Sequence, residues 1–352
     1  MVRVMNNPYN ILFGKTPPQS IKRSSQNEKI LNSFLSEQIN DQIYIITGLR
    51  GTGKTVLMTE VSKEIEKLKD WIVVDLNPND DLRQDLLSKL YNRKEVNKLI
   101  RSAKISFSFH NILELEVDSK RPEFNCETDI ANILKELAKK KKRVLITIDE
   151  ITSSKQMKSF ASSFQSFMRQ DLPVFLLMTG LYENINKLQN EGNLTFLYRA
   201  PKIELSSLST NAIINNYMTV LGTDQETARE MAWKTNGYPY AFQLLGYLTW
   251  DNGGNYQDIL PLYEQYLEDA VYSVIWSSLP AKEKFVAYGI ARSEHGKTKE
   301  IREILKMESN EFSPYRERLS KRNLINTEET GYISFTLPLF DKFILNNYRP
   351  EI

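Results

Sequence analysis

Gly48-Leu49-Arg50-Gly51-Thr52-Gly53-Lys54-Thr55 sets glycine, four residues, then Gly-Lys-Thr. Glycines in that spacing let the main chain wrap so that successive N–H groups converge on phosphate oxygens, and a helix starting at the lysine adds its partial positive charge. Lys54 is placed to reach β and γ phosphates, and the Thr55 hydroxyl to ligate a magnesium ion. The candidate nucleotide-binding residues are Gly48, Arg50, Gly51, Thr52, Gly53, Lys54, Thr55 and Val56.

A second constellation lies about a hundred residues on. The apolar run Val144-Leu145-Ile146-Thr147-Ile148 ends in Asp149-Glu150, and the run Val174 to Met178 ends in Thr179-Gly180. An acid at the carboxyl end of a buried parallel strand suits a magnesium ion beside a phosphate loop, so Asp149 joins Thr55 as a candidate metal ligand. Glu150 is then the candidate base for an attacking water, and Thr179 a group that senses or orients the γ-phosphate. Arg199, in Phe196-Leu197-Tyr198-Arg199-Ala200, carries two readings: a cation for γ-phosphate charge in its own or a neighbouring subunit, or a surface arginine paired with a carboxylate.

The elements that must position these residues follow from periodicity. Ile43 to Thr47 reads as a strand buried on both faces, and Val56, Leu57, Val61, Ile65 and Leu68 recur at helical spacing behind the glycine loop. Strands are also predicted at 71–76, 144–148, 174–178 and 203–205, with helices at 81–91, around 130–137 and at 158–169. That alternation predicts a parallel sheet covered by helices, with ligands at the carboxyl ends of its strands. Residues 92–126 fit the series poorly and read as an insertion with a hairpin near Ile105 to Leu113. Beyond Leu208 helical spacing takes over, and from Leu279-Pro280 the pattern is three helices followed by two short strands around Gly331.

Composition narrows the rest. The 352 residues carry 46 Lys plus Arg against 44 Asp plus Glu, a net charge of +2, so any nucleic-acid contact must come from a local patch. Cys126 is the single cysteine, which excludes an internal disulfide and a cysteine-built zinc site, and two histidines cannot replace one. No stretch approaches the ~20 apolar residues of a membrane span. A cytoplasmic protein without membrane contact is expected. The run Lys139 to Arg143 is read as cations at a helix C-terminus, and Trp71, Trp233, Trp250 and Trp276 as packed aromatics.

In this order the glycine loop, Ile148-Asp149-Glu150, Thr179 and Arg199 resemble the AAA+ class of P-loop ATPases. The resemblance is to the branch joining STAND signalling ATPases with origin-recognition initiators. More narrowly, Asn7-Pro8-Tyr9-Asn10, Phe13-Gly14-Lys15 and Pro17-Pro18 resemble the opening of a bacterial and archaeal family of ATP-binding proteins. The resemblance implies that Pro8, Tyr9 and Phe13 line an adenine pocket. The family's Gly-Arg-x-x-Glu box stands here as Lys22-Arg23-Ser24-Ser25-Gln26, without its glycine or acid. Asn236-Gly237-Tyr238-Pro239 resembles the Gly-x-Pro signature of a STAND lid, placing Pro239 at a helix start over the nucleotide. No arginine stands where many AAA+ lids supply a sensor, which implies slow or partner-dependent hydrolysis.

The tail resembles a winged helix, with Ser313 expected as N-cap and Pro314 as first helical residue. Arg316, Arg318, Lys321 and Arg322 on or just after that helix are candidate contacts to duplex DNA, set against Glu317, Glu328 and Glu329. An interaction or autoinhibitory module is the competing reading of the tail.

The expected fold class is α/β: a P-loop NTPase, AAA+-like parallel-sheet core over 1–206, a helical lid over 207–278 and a C-terminal winged-helix domain over 279–352. ATP and Mg²⁺ are the expected cofactors, and ATP hydrolysis driving a conformational switch is the expected activity. A DNA-binding regulator and a P-loop phosphotransferase are the alternatives. A homo-oligomer or a protein partner is compatible with all three.

Overall fold

Five short runs rich in β-branched residues pair in parallel to form one sheet in the computed structural model, which describes residues 6–12, 14, 17–103, 126–192 and 194–350. They are β1 (Ile43–Thr47), β2 (Trp71–Leu76), β3 (Arg143–Ile148), β4 (Val174–Gly180) and β5 (Lys202–Glu204), in spatial order β2-β3-β4-β1-β5. All residues of β1 and β4 are buried, as expected for central strands covered on both faces. The chain divides into two compact units, and the sheet belongs to the one formed by 23–47 and 57–204.

The helices of that unit are α1 (Ser24–Leu35), most of α2 (Lys54–Glu66), α3 (Leu82–Asn92), α4 (Lys94–Ala103), α5 (Cys126–Lys139), α6 (Lys155–Arg169) and α7 (Tyr182–Gln189). Local chemistry starts them: Asp81 accepts from the amides of Arg83 and Gln84 ahead of α3, and Ser154 from Met157 ahead of α6. Ile130, Ile133, Leu134 and Leu137 of α5 and Phe160, Phe164 and Phe167 of α6 are fully or almost fully buried in the core around the sheet. Within the supposed insertion, 94–103 is a helix that buries Val96 and Ile100, whereas the hairpin expected near 105–113 lies outside the described residues.

The basic run is absorbed structurally. Lys139 pairs with Glu136 and Lys142 with Glu95, while Arg143 donates to the carbonyls of Phe34 and Ser36 and covers the Trp71 ring.

The other unit comprises 1–22, 48–56 and 205–352, so the glycine loop packs with the helical half of the chain. Its helices are α8 (Thr210–Leu221), α9 (Gln225–Thr235), α10 (Pro239–Asp251), α11 (Leu260–Leu267), α12 (Ser273–Ser278), α13 (Ala281–Arg292), α14 (Thr298–Leu305), α15 (Ser309–Lys321) and α16 (Phe340–Asn347). One π-helical turn, Glu268–Tyr272, joins α11 to α12. Strands β6 (Ile325–Asn326) and β7 (Ser334–Phe335) pair antiparallel as a wing after α15. Buried tyrosines hold this unit together at both ends of the side chain. Tyr217 donates to the carbonyl of Phe242, Tyr263 to that of Lys234 and Tyr272 to that of Pro338, each ring lying in the core.

Two expectations are corrected here. The helix α15 begins at Ser309, because Glu308 and Glu311 form a reciprocal capping box. Ser313 is therefore inside the helix, donating back to the carbonyl of Ser309, and Pro314 lies one turn past the start. Trp233 is not packed: it is 66% exposed near the end of α9. No helix among the described residues is long and apolar enough to cross a membrane.

Candidate functional site

The glycine loop is the first candidate cluster, within the helical unit. Gly51 and Gly53 take φ of +75° and +88°, which a side chain would strain. At Gly51 a Cβ would also fall 2.3 Å from the Tyr238 hydroxyl and 2.9 Å from the Tyr240 Cβ. The Lys54 ammonium is almost buried, 8% of the residue being exposed, and it donates to the carbonyls of Gly48 at 3.1 Å and Leu49 at 2.8 Å. A buried ammonium needs acceptors on every side, and here the loop's own carbonyls serve. Thr52 donates to the same Leu49 carbonyl at 2.8 Å. Thr55 and Val56 follow on the first turn of α2, both half-buried.

Tyr238 is the residue that motif reading missed. Its hydroxyl donates to the carbonyl of Arg50 at 2.5 Å, and the residue is 3% exposed. Burial drives its phenol far above the usual tyrosine value, so it remains a donor. The only signal in the chain was its place as the variable residue of Gly237-Tyr238-Pro239. Pro239 opens α10, half-buried, where a missing N–H costs little.

The second candidate cluster lies at the carboxyl edge of the sheet, within the other unit. Thr47, which precedes the loop, pairs with Gly180, and Ile148 pairs with Met178, so β1, β3 and β4 end side by side. The Thr179 hydroxyl, fully buried, donates to Oδ1 of Asp149. The Glu150 amide is shared between that Oδ1 at 3.1 Å and the Thr179 hydroxyl oxygen at 3.0 Å. Glu150 itself has φ of +53°, an uncommon conformation for a side-chain-bearing residue, and its carboxylate side is exposed. Pairing resumes one residue later, where the Ile151 amide donates to the Thr179 carbonyl at 2.8 Å. Behind this row Thr147 donates to Asp75 at 2.8 Å.

Among the described residues no group of three or more His, Cys, Asp or Glu could hold a metal ion. The Thr55 hydroxyl and the half-buried Asp149 carboxylate are each hard oxygen donors of the kind magnesium takes, one or two at a time, completing its shell with phosphate and water.

The remaining candidates are placed as follows. Tyr9 is core, 2% exposed: its ring lies against Gly246, and its hydroxyl donates to Asn216 at 2.9 Å. The Tyr9 ring thus lies in the core of the helical unit. Pro8 beside it is half-buried, and Phe13 lies outside the described residues. Arg199 is exposed at the end of a 3₁₀ turn, Thr195–Arg199. In the tail, Arg322 is turned inward to Glu283 at 3.1 Å, and Lys321 pairs with Glu317 on the surface. Arg316 is half-buried, and Arg318 is exposed over the Tyr315 ring.

Comparison with known proteins bears on this geometry. Residues 28–190 match the family described as an ATPase domain predominantly from Archaea, and residues 269–344 match a domain of unknown function. No curated protein matches the chain. The chain is similar in fold to the Walker-type ATPase of Pyrococcus abyssi at 16% identity, with a TM-score of 0.62 over 93% of this chain and 96% of that one. It is likewise similar to the ORC2 protein of Aeropyrum pernix in its ADPNP–ADP complexes, at 12% identity and a TM-score of 0.60 over 96% and 95%. At these identities the likeness shows the fold, that of an α/β P-loop NTPase.

Proposed function

We propose that this chain is a P-loop ATPase of the AAA+ class, its residues 28–190 matching the predominantly archaeal ATPase family, and that it binds and hydrolyses Mg-ATP as a conformational switch. The observation that carries this reading is the nearly buried Lys54 ammonium, held by the Gly48 and Leu49 carbonyls of a loop in which Gly51 and Gly53 take left-handed φ. The amides of Gly51, Thr52 and Gly53 would cradle the phosphates, with Lys54 exchanging its carbonyl partners for phosphate oxygens.

Thr55 and Asp149 would hold the magnesium ion, which when bound neutralises charge developing on the β and γ phosphates. Thr179 fixes the orientation of the Asp149 carboxylate. Glu150 polarises a water that attacks the γ phosphorus, takes its proton, and the bond to the β–γ bridging oxygen breaks to release ADP. Arg199, exposed, supplies a cation to the γ-phosphate from its own or a neighbouring copy. Segments 207–278 and 279–352 would act as lid and output domain, in a cytoplasmic protein.

Nucleotide titration calorimetry with phosphate-release assays tests this reading. Wild-type protein is expected to bind ATP with Mg²⁺, and Lys54→Ala to lose that binding. Glu150→Gln should bind normally and turn over roughly 10² to 10⁴ times more slowly. Absence of nucleotide binding by the wild type would overturn the reading.

Duplex DNA recognition is the second reading, favoured by the exposed Arg318 with Arg316 on the same helix. With Arg322 engaged by Glu283, Arg316→Ala plus Arg318→Ala should weaken duplex binding and flatten its salt dependence. Absence of duplex binding by the intact protein at low salt removes it.

A further inference from the structure

The phosphate loop, the turn before α10 and the wing belong to one compact unit, and two side chains of that turn reach in opposite directions along the chain. Tyr238 donates to the Arg50 carbonyl, as described above. Two residues earlier, the Asn236 side-chain amide donates to the carbonyls of both Phe335 and Thr336, at 3.1 Å each, at the end of β7. Asn236 and Gly237 are both left-handed, with φ of +47° and +69°.

The turn between these contacts is stiff. The Asn236 amide donates to Trp233, and the Tyr238 amide to the carbonyl of the fully buried Thr235. The Gly237 amide donates to the Thr235 hydroxyl, and its carbonyl accepts from Leu208 at 2.8 Å. A Cβ on Gly237 would meet Ser207 and Leu208 at 2.8 Å, so the backbone there is enclosed. The wing end is held equally firmly. Thr336 donates its hydroxyl to the carbonyl of Asn323 at 2.6 Å and its amide to that of Leu324 at 3.1 Å.

The chemistry at the loop end concerns one peptide plane. A trans peptide carries its carbonyl and its N–H on opposite sides, so the bond that draws the Arg50 carbonyl to Tyr238 also aims the Gly51 N–H the other way. Gly51 N–H is one of the amides that would face phosphate. A phenol that grips the carbonyl therefore sets the direction of a phosphate donor without touching the ligand.

We propose that Tyr238 is a positioning residue for the phosphate-binding loop, and that the wing sets its hold through Asn236, making Asn236–Tyr238 a relay between the C-terminal domain and the nucleotide. The proposal rests on the reading that Gly48 to Thr55 binds nucleotide phosphate. A wing displaced by a partner would release the two carbonyls at β7, free the turn and loosen the Gly51 amide.

The test uses the full chain as wild type, Tyr238→Phe, Asn236→Gly and the double variant. Glycine keeps the left-handed backbone of position 236 while deleting the amide, and phenylalanine deletes only the hydroxyl. Two quantities are read: affinity for Mg²⁺ with a non-hydrolysable ATP analogue, and amide hydrogen exchange of peptides covering 48–56 without nucleotide. Loss of the Tyr238 hydroxyl leaves a buried carbonyl without its donor and is expected to weaken binding about tenfold, with faster loop exchange. Asn236→Gly should weaken binding severalfold and speed exchange in the same peptides, and the double variant should be no worse than Tyr238→Phe alone. Asn236→Asp, which would turn a carboxylate toward the two carbonyls, should loosen the loop more than glycine does.

Unchanged loop exchange in Asn236→Gly and Asn236→Asp, or losses that multiply in the double variant, would overturn the relay. A wild type that binds no nucleotide would sink the ATPase reading instead, while the exchange measurement still decides whether the wing governs the loop.

Discussion

Thr179 and Asp149 end neighbouring strands as a bonded pair: the Thr179 hydroxyl donates to Oδ1 of Asp149 and accepts the Glu150 amide. A fully buried hydroxyl so engaged orients a carboxylate, whereas a sensor would face the phosphate. Thr179→Val keeps the shape and deletes the donor. It should raise the magnesium concentration needed for half-maximal ATP turnover, with a stability loss of only about 1 kcal/mol, because the Glu150 amide keeps Oδ1 of Asp149 as acceptor. Thr179→Ser should restore the magnesium dependence. An unchanged magnesium titration in the valine variant would return Thr179 to the role of sensor.

Gly246 lies within α10, where alanine would ordinarily add about 1 kcal/mol to helix stability. Here a Cβ would lie 2.6 to 2.7 Å from carbons of the Tyr9 ring. Overpacking typically costs about 1 to 3 kcal/mol, so Gly246→Ala should destabilise in denaturant unfolding. In a Tyr9→Ala background the sign should reverse. Stabilisation of wild type by Gly246→Ala would mean that the N-terminal segment is not seated on α10.

Glu283 and Arg322 form an ion pair with side chains 3% and 16% exposed. Removing one member of such a pair strands the other charge, a loss of about 3 to 5 kcal/mol, while replacing both with apolar residues can be neutral. Glu283→Leu and Arg322→Leu should each lower the melting temperature strongly, and the double variant should recover most of the loss. Additive losses would show that the two charges act independently.

Alkaline pH should unfold this chain from the helical unit. Burial raises the phenols of Tyr9, Tyr217, Tyr238, Tyr263 and Tyr272 above their ordinary value of 10.0. Below that value both folded and unfolded phenols are protonated, so their contribution is fully present. As pH rises past 10 the unfolded chain ionises first and binds fewer protons than the folded one, so stability falls. Unfolding free energy measured from pH 8 to 11 should stay level in this respect and then drop. A level curve through pH 11 would contradict burial of these hydroxyls.

How much of this was legible depends on the range of the interactions. The phosphate loop, the acidic strand end and the Pro239 helix start are written in consecutive residues, because glycine conformational freedom, strand burial and the missing proline N–H act locally. The order of the five strands followed from hydrophobic period, whereas the helices Ser24–Leu35, Lys94–Ala103 and Tyr182–Gln189 were not read from it. The start of α15 was misjudged because Ser313-Pro314 and Glu308 to Glu311 are both valid local starts, and only one allows Phe312 to be buried on the helix.

What tertiary structure alone decided is which side chain meets which across long separations. Tyr9 was read as a ligand contact and is core, because a glycine 237 positions away opens a seat for its ring. Arg322 was read as a DNA contact and faces Glu283. Tyr238 carried no signal of its own until its hydroxyl met the carbonyl of Arg50, 188 positions back. A hydroxyl or guanidinium is equally at home in water, in a core with a partner, or on a ligand, so its residue type leaves the choice open. The surrounding burial makes that choice, and burial is a property of the folded chain.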